Sequence, residues 1–268
     1  MSKALFTLPI GTSGSIVCTE PAPTVYLLTF TSPPDNRLTT TFCQALIDAL
    51  DLIEFGGYAP GVVVTTSGIP KFYSNGLDLE HAMSTEGFFE NSLYKLFNRL
   101  LTYPMPTIAL LNGHAFAGGL MTAMHHDYRI MNPAKGFLCL NELDFGVPLT
   151  PAMSAIFRIK TPAATYRALA LEAHRFDAKQ AAAAGLVDGT GGLEEVLELI
   201  KTRKLTQKGK TGIYHVMKRE MYRESVAALS VEGGKLDAER LAKEREREEK
   251  RVAAGKKKVA ELKTKAKL

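Results

Sequence analysis

Between an apolar run, "TIALL" (107–111), and a helix-like stretch lies "NGHAFAGGLMTAMHHD" (112–127), a segment crowded with glycine and alanine. Residues this small leave backbone N–H groups open to a ligand oxygen. At a helix N-terminus those groups lack intrahelical acceptors and carry the positive end of the dipole. Two chemistries use such a loop: a phosphate cradle, or an oxyanion hole that meets charge developing on a carbonyl oxygen. The phosphate motifs GxxxxGK[ST] and GxGxxG are both absent, and no lysine follows Gly119. A second turn of the same kind, "SNGLD" (74–78), has Gly76 where the backbone can adopt a conformation other residues avoid. It reads either as an ordinary strand-to-helix turn or as the source of a second N–H for one oxygen. Spacing along the chain leaves both open.

The candidate proton-transfer group is Glu142 in "GFLCLNELDFGVPL" (136–149), set between Leu140 and Leu143 with Phe145 nearby. Apolar surroundings disfavour a charged carboxylate and raise its pKa toward that of a useful general base. A glutamate that caps or salt-bridges a strand end is the alternative. Asp144 would share its face if the run were extended, and is a turn residue otherwise. The adjacent His125 and His126 point to different helix faces and have no glutamate at a zincin spacing, so no metal site is expected. A serine nucleophile is poorly supported: GxSxG does not occur, and "GTSGS" (11–15) lies in an unstructured-looking N-terminal segment.

The elements that must position these groups alternate. "TVYLLTFT" (24–31), "GVVVTTS" (61–67) and "TIALL" have the β-branched character of strands. "TTTFCQALIDALDLIEF" places Phe42, Leu46, Ala49, Leu50 and Ile53 on one helical face, with threonines available as N-caps. "FFENSLYKLFNRLLTYP" returns to helical spacing and stops near Pro104. This alternation predicts an α/β domain with largely parallel pairing. Beyond about residue 161 the strand signals end, so residues 1–205 read as the core and 206–268 as a helical C-terminal section. No internal repeat is visible.

Composition narrows the partners. The net charge of +5 is concentrated in residues 241–268, which hold 11 Lys and Arg against 5 Glu and leave the rest near −1. With no nucleic-acid motif present, a nucleic-acid partner is not expected. No apolar stretch reaches the roughly 18 residues a membrane span needs, and no secretion signal is evident. Three scattered cysteines (Cys18, Cys43, Cys139) without CxxC spacing suit a reducing compartment.

"FYSNGLDL", "NGHAFAGGLMTAMHHDYRI", "GFLCLNELDFGVPL" and "HRFDAKQAAAAGLVD" together resemble, in order and spacing, the crotonase (enoyl-CoA hydratase/isomerase) superfamily. "VYLLTFTSPPDNRLTTTF" looks like its opening strand and turn, and the resemblance covers about residues 24–190. It is greatest to the Δ3,Δ2-enoyl-CoA isomerases of plants and fungi. The resemblance implies a spiral of repeated ββα units, assembled as trimers or hexamers, that binds acyl-CoA thioesters without a cofactor besides the CoA of the substrate. It implies that the backbone N–H groups of Leu77 and Gly118 hold the thioester oxygen. Ser74, Asn75, Gly76 and Asp78 would contribute to substrate binding and Glu142 would be the base. Hydratases of the family carry a second glutamate after the glycine loop, where this chain has Met121. A single carboxylate suits moving a double bond better than adding water, which favours isomerase over hydratase. Dienoyl-CoA isomerisation using Asp78 or Asp144, and acyl-CoA binding without catalysis, are the alternatives. Ala266-Lys267-Leu268 resembles a peroxisomal address, implying an import receptor as partner and the peroxisome as location.

Overall fold

Every residue of "VVVTTS" and "TIALL" is buried, as strands covered on both faces must be. In the computed structural model, which describes residues 3–265, they lie at the centre of a seven-stranded sheet. The suggested address Ala266-Lys267-Leu268 lies outside the described residues. The chain opens with β1 (Ala4–Ile10), β2 (Gly14–Ala22) and β3 (Val25–Thr31), paired antiparallel. The N-terminal segment is therefore a hairpin, and "GTSGS" forms its turn and the start of β2. Alternation of Ile16 and Cys18 toward the core, with half-exposed residues between them, is the period-two signal that holds β2 in place.

Helix α1 (Thr40–Phe55) follows, with Thr39 capping it by accepting from the Phe42 N–H. Its buried stripe is the one its spacing predicts, from Phe42 to Ile53. The next strands come in pairs. β4 (Val62–Ser67) and β5 (Phe72–Ser74) lead into α2 (Leu79–Ser84) and, through a π-helical turn, α3 (Tyr94–Leu101). β6 (Thr107–Leu111) and β7 (His114–Phe116) lead into α4 (Gly118–Met124). β8 (Tyr128–Met131) and β9 (Leu138–Cys139) lead, after a 3-10 turn, into α5 (Pro151–Lys160). In each pair the first strand joins the large sheet and the second joins a small parallel sheet ordered β5-β7-β9. The repeating unit of the spiral is thus ββα.

Helices α6 (Ala163–Glu172) and α7 (Ala178–Ala183) lead to β10 (Gly189–Thr190), a two-residue edge strand parallel to β8. One strand therefore lies beyond the point where strand signals end, too short to leave a pattern. The rest is helical: α8 (Leu193–Thr202), α9 (Leu205–Lys208), α10 (Tyr214–Met221), α11 (Arg223–Ala228) and α12 (Val231–Lys265). Alternate residues of the central strands serve two cores. Val62, Val64, Ile108 and Leu110 pack with Val196 and Ile200 of α8. Val63, Ala109 and Leu111 pack with α1 and α4. The three cysteines are free and buried. Helix α12 is continuous, and from residue 242 to 265 it is exposed throughout.

Candidate active site

Three loops leave the carboxyl ends of the adjacent parallel strands β5, β7 and β9, where open α/β sheets characteristically bind ligands. Ser74 pairs with Ala115, and Phe116 with Cys139. "SNGLD", "AGG" and "LNE" therefore emerge side by side, although the first ends at Asp78 and the last begins at Leu140. The small sheet brings the two glycine turns and Glu142 to one edge.

The glycine turns touch. Gly76 has φ +87°, and a Cβ there would stand 2.9 Å from the Phe116 carbonyl and 3.3 Å from the Gly118 nitrogen. Ala117 holds φ 48° and ψ −124°, a conformation that costs a non-glycine residue about 1–3 kcal/mol. Its N–H donates to the Cys139 carbonyl at 2.9 Å, so the strain is held by β9. The turn starts α4 at Gly118, which places the Gly118 N–H at the helix N-terminus. Neither this N–H nor that of Leu77 has an acceptor among the described residues, while on either side of Leu77 the Gly76 carbonyl accepts from the Leu38 N–H and the Asp78 N–H donates to the Leu38 carbonyl. Two unpaired donors on touching turns form an arrangement that can hold one oxygen.

The stretch around Glu142 is not an extended strand, as its apolar pattern suggests, but a strand end followed by a tight turn. Glu142 precedes a 3-10 turn at Leu143–Phe145 and accepts on its carbonyl from Phe145 and Val147. Gly146, at φ +67°, closes the turn. Asp144 therefore shares no strand face with Glu142 and is exposed. The Glu142 side chain enters a cavity of about 270 Å³ walled by Leu140, Leu143, Val147, Leu149, Tyr166 and Leu171. It is the one carboxylate in that lining among the described residues, and its Oε2 is buried with no hydrogen-bond partner. Loss of water around the carboxylate pushes its pKa from an ordinary 4.5 up to about 7, against a smaller lowering by its own backbone N–H. A group that titrates there can take up and return a proton near neutral pH.

Other residues singled out by sequence have partners within the chain. The Ser74 hydroxyl donates to the Asn36 carbonyl and accepts from the Gly76 N–H. Asn75 donates from its amide side chain to Asp35, and Asp78 caps α2 by accepting from the His81 N–H. These bonds set the shape of the first turn. Met121 is 2% exposed and does not line the Glu142 cavity. His125 stacks on Phe97 with ring centroids 4.3 Å apart, and His126 bonds Thr65. Burial pushes both imidazoles down to about 3, so they are neutral core residues.

Two contributions escape the sequence reading. Asn36 is fully buried, and its side-chain amide donates to Ser67 Oγ and the Tyr73 carbonyl, tying β3, β4 and β5 beneath the first turn. The "PPDN" turn was its only trace. Tyr166 and Ala170, one helical turn apart on α6, wall the cavity from a segment with no chemical signature of its own.

Residues 20–263 match the sequence profile of the enoyl-CoA hydratase/isomerase family. The chain is 32% identical to Enoyl-CoA delta isomerase 3 of Arabidopsis thaliana over 75% of its own length and 89% of that protein's. It is 34% identical to Enoyl-CoA delta isomerase 1, peroxisomal, of the same plant, over 75% and 87%. Among solved structures, a probable enoyl-CoA hydratase from Mycobacterium tuberculosis superposes with a TM-score of 0.71 at 21% identity, covering 88% of this chain and 98% of that one.

Proposed function

The chain belongs to the enoyl-CoA hydratase/isomerase family, and we propose that within it the protein is a Δ3,Δ2-enoyl-CoA isomerase with Glu142 as its single acid–base group. The observation that carries this reading is that the Glu142 cavity contains one carboxylate, raised to about 7, and otherwise apolar walls. Relatives at 32% and 34% identity named as enoyl-CoA delta isomerases support it.

In the reaction, the thioester oxygen of a 3-enoyl-CoA accepts from the Leu77 and Gly118 N–H groups. Glu142 carboxylate removes a proton from C2, and the C–H electron pair enters a dienolate whose charge rests partly on that oxygen. Fixed peptide dipoles meet this charge without reorganising, and one such donor is worth on the order of 3 kcal/mol. The protonated Glu142 then delivers its proton to C4. The C3–C4 double bond is lost and C2–C3 becomes double. No water is consumed and no cofactor beyond the CoA of the substrate is required. The "SNGLD" turn, Ser74 to Asp78, contacts the substrate through its backbone, since its side chains are engaged in shaping the turn.

Hydration needs a second group to position and deprotonate a water molecule, and the lining of the Glu142 cavity holds no second carboxylate among the described residues. Product analysis separates the two chemistries. Incubating the protein with 3-hexenoyl-CoA yields the 2-trans isomer, and 2-trans-hexenoyl-CoA is left without appreciable 3-hydroxyacyl product. Dominant hydration would overturn the isomerase assignment. Binding of acyl-CoA without turnover of any enoyl substrate would reduce the protein to a binding module. A relative named as a peroxisomal enoyl-CoA delta isomerase supports action in peroxisomal fatty-acid β-oxidation. Assembly as a trimer or hexamer suits the exposed apolar stripe of Ile213, Val216, Met217 and Met221 along α10.

A further inference from the structure

The Glu142 cavity has a neighbour. A second cavity of about 370 Å³ lies among α5, α6 and α12, and both cavities are lined by Leu149 and Tyr166. These two side chains are the partition. The chemistry on its two sides differs sharply. On the Glu142 side the lining is aliphatic side chains and proline, with Glu142 and Tyr166 as the two residues that carry a polar group. On the far side they carry Arg158, Asp237, Arg240 and Glu244. Neither arginine has a carboxylate within ion-pair distance among the described residues. The partition is braced: the Tyr166 ring lies parallel to that of the fully buried Phe157, 11° between planes with centroids 6.1 Å apart. Leu143, Val147 and Leu171 of the same lining are exposed, so the cavity opens to solvent beside them.

We propose that Tyr166, backed by Phe157 and flanked by Leu149, is the end wall of the acyl-binding cavity and limits the protein to short acyl chains. This inference rests on the acyl-CoA reading of the site and adds the substrate class. A chain reaching past Tyr166 would have to move a braced aromatic ring. It would then place methylene groups against two guanidinium and two carboxylate groups, whose solvation it would disrupt without offering them a partner. Apolar pockets separate ligands by about tenfold or more per misfitting methylene, so a fixed end wall gives a sharp cutoff in length.

The test uses the full-length protein and saturated thioesters, so that binding is read without turnover. Calorimetric titration with butanoyl-, hexanoyl-, dodecanoyl- and hexadecanoyl-CoA gives a length profile for the wild type, Tyr166→Ala, Tyr166→Leu and Tyr166→Phe. The wild type and Tyr166→Phe should bind the two short thioesters and lose on the order of tenfold or more for the two long ones. Tyr166→Ala and Tyr166→Leu should recover the long chains, with circular dichroism confirming that each variant is folded. The leucine variant keeps an apolar side chain on α6 should alanine prevent folding. Equal affinity of the wild type for all lengths, or a profile that neither Tyr166→Ala nor Tyr166→Leu changes, would overturn the end wall. Failure to bind any acyl-CoA would instead overturn the reading of the site on which the end wall rests.

Discussion

At the scale of single residues, Glu142 is in a state that costs stability. Its side chain sits among leucines with Oε2 unpartnered, and desolvation raises its pKa to about 7. The folded protein therefore holds this proton over a range, from about 4.5 to 7, in which the unfolded chain has released it. Stability from this group is complete below about 4.5 and is lost as pH rises through 7, on the order of 3 kcal/mol in all. The proposed proton shuttle runs the other way, because removal of a C2 proton by Glu142 needs the carboxylate. The free enzyme's kcat/KM should fall about tenfold per unit below pH 7. Glu142→Gln has no titration, so denaturant unfolding of wild type and variant at about pH 4 and about pH 9 isolates the effect. The wild type should lose about 3 kcal/mol relative to the variant between those limits. A constant difference would show that Glu142 is not desolvated.

Secondary elements hold the donors, and their tolerance to change differs at neighbouring glycines. A Cβ on Gly119 would overlap the Ser74 carbonyl and lie 2.8 Å from the Ser74 Cβ, so β5 or α4 must shift. On Gly118 it would meet Leu77 Cδ2 at 3.1 Å and Leu38 Cδ1 at 3.2 Å, side-chain tips able to rotate. Gly119→Ala should therefore lower kcat on 3-hexenoyl-CoA by about 10²–10³, the cost of a displaced oxyanion donor, and Gly118→Ala by clearly less. The reverse order would contradict the placement of the turns. Sequence reading reaches these glycines because their spacing after an apolar run is local. It cannot reach the contact between Gly76 and Gly118. That contact is made by β5, β7 and β9, strands of two or three residues that carry no period to detect.

Seen as a whole molecule, the ββα spiral is legible in outline and hidden in detail. Central strands such as "VVVTTS" and "TIALL" and the stripe of α1 announce an α/β fold, since burial on both faces or on one stripe fixes their composition. The repeat itself is invisible, because each unit's second strand is held by neighbours rather than by its own residues. Opening strands β1 and β2 are missed for a related reason: their outward positions are exposed and read as loop. Glu142 is found by its apolar neighbours, while Tyr166, which lines the same cavity, comes from a helix with nothing chemical to mark it. The small sheet β5-β7-β9 brings the Glu142 loop and the two glycine turns to one edge, and the most direct test removes the carboxylate alone. Turnover of 3-hexenoyl-CoA to its 2-trans isomer should fall by about 10³ or more in Glu142→Gln, toward the upper part of the range for acid–base groups because one residue serves both proton transfers. A folded Glu142→Gln that turns over within about tenfold of wild type would contradict the single-glutamate shuttle.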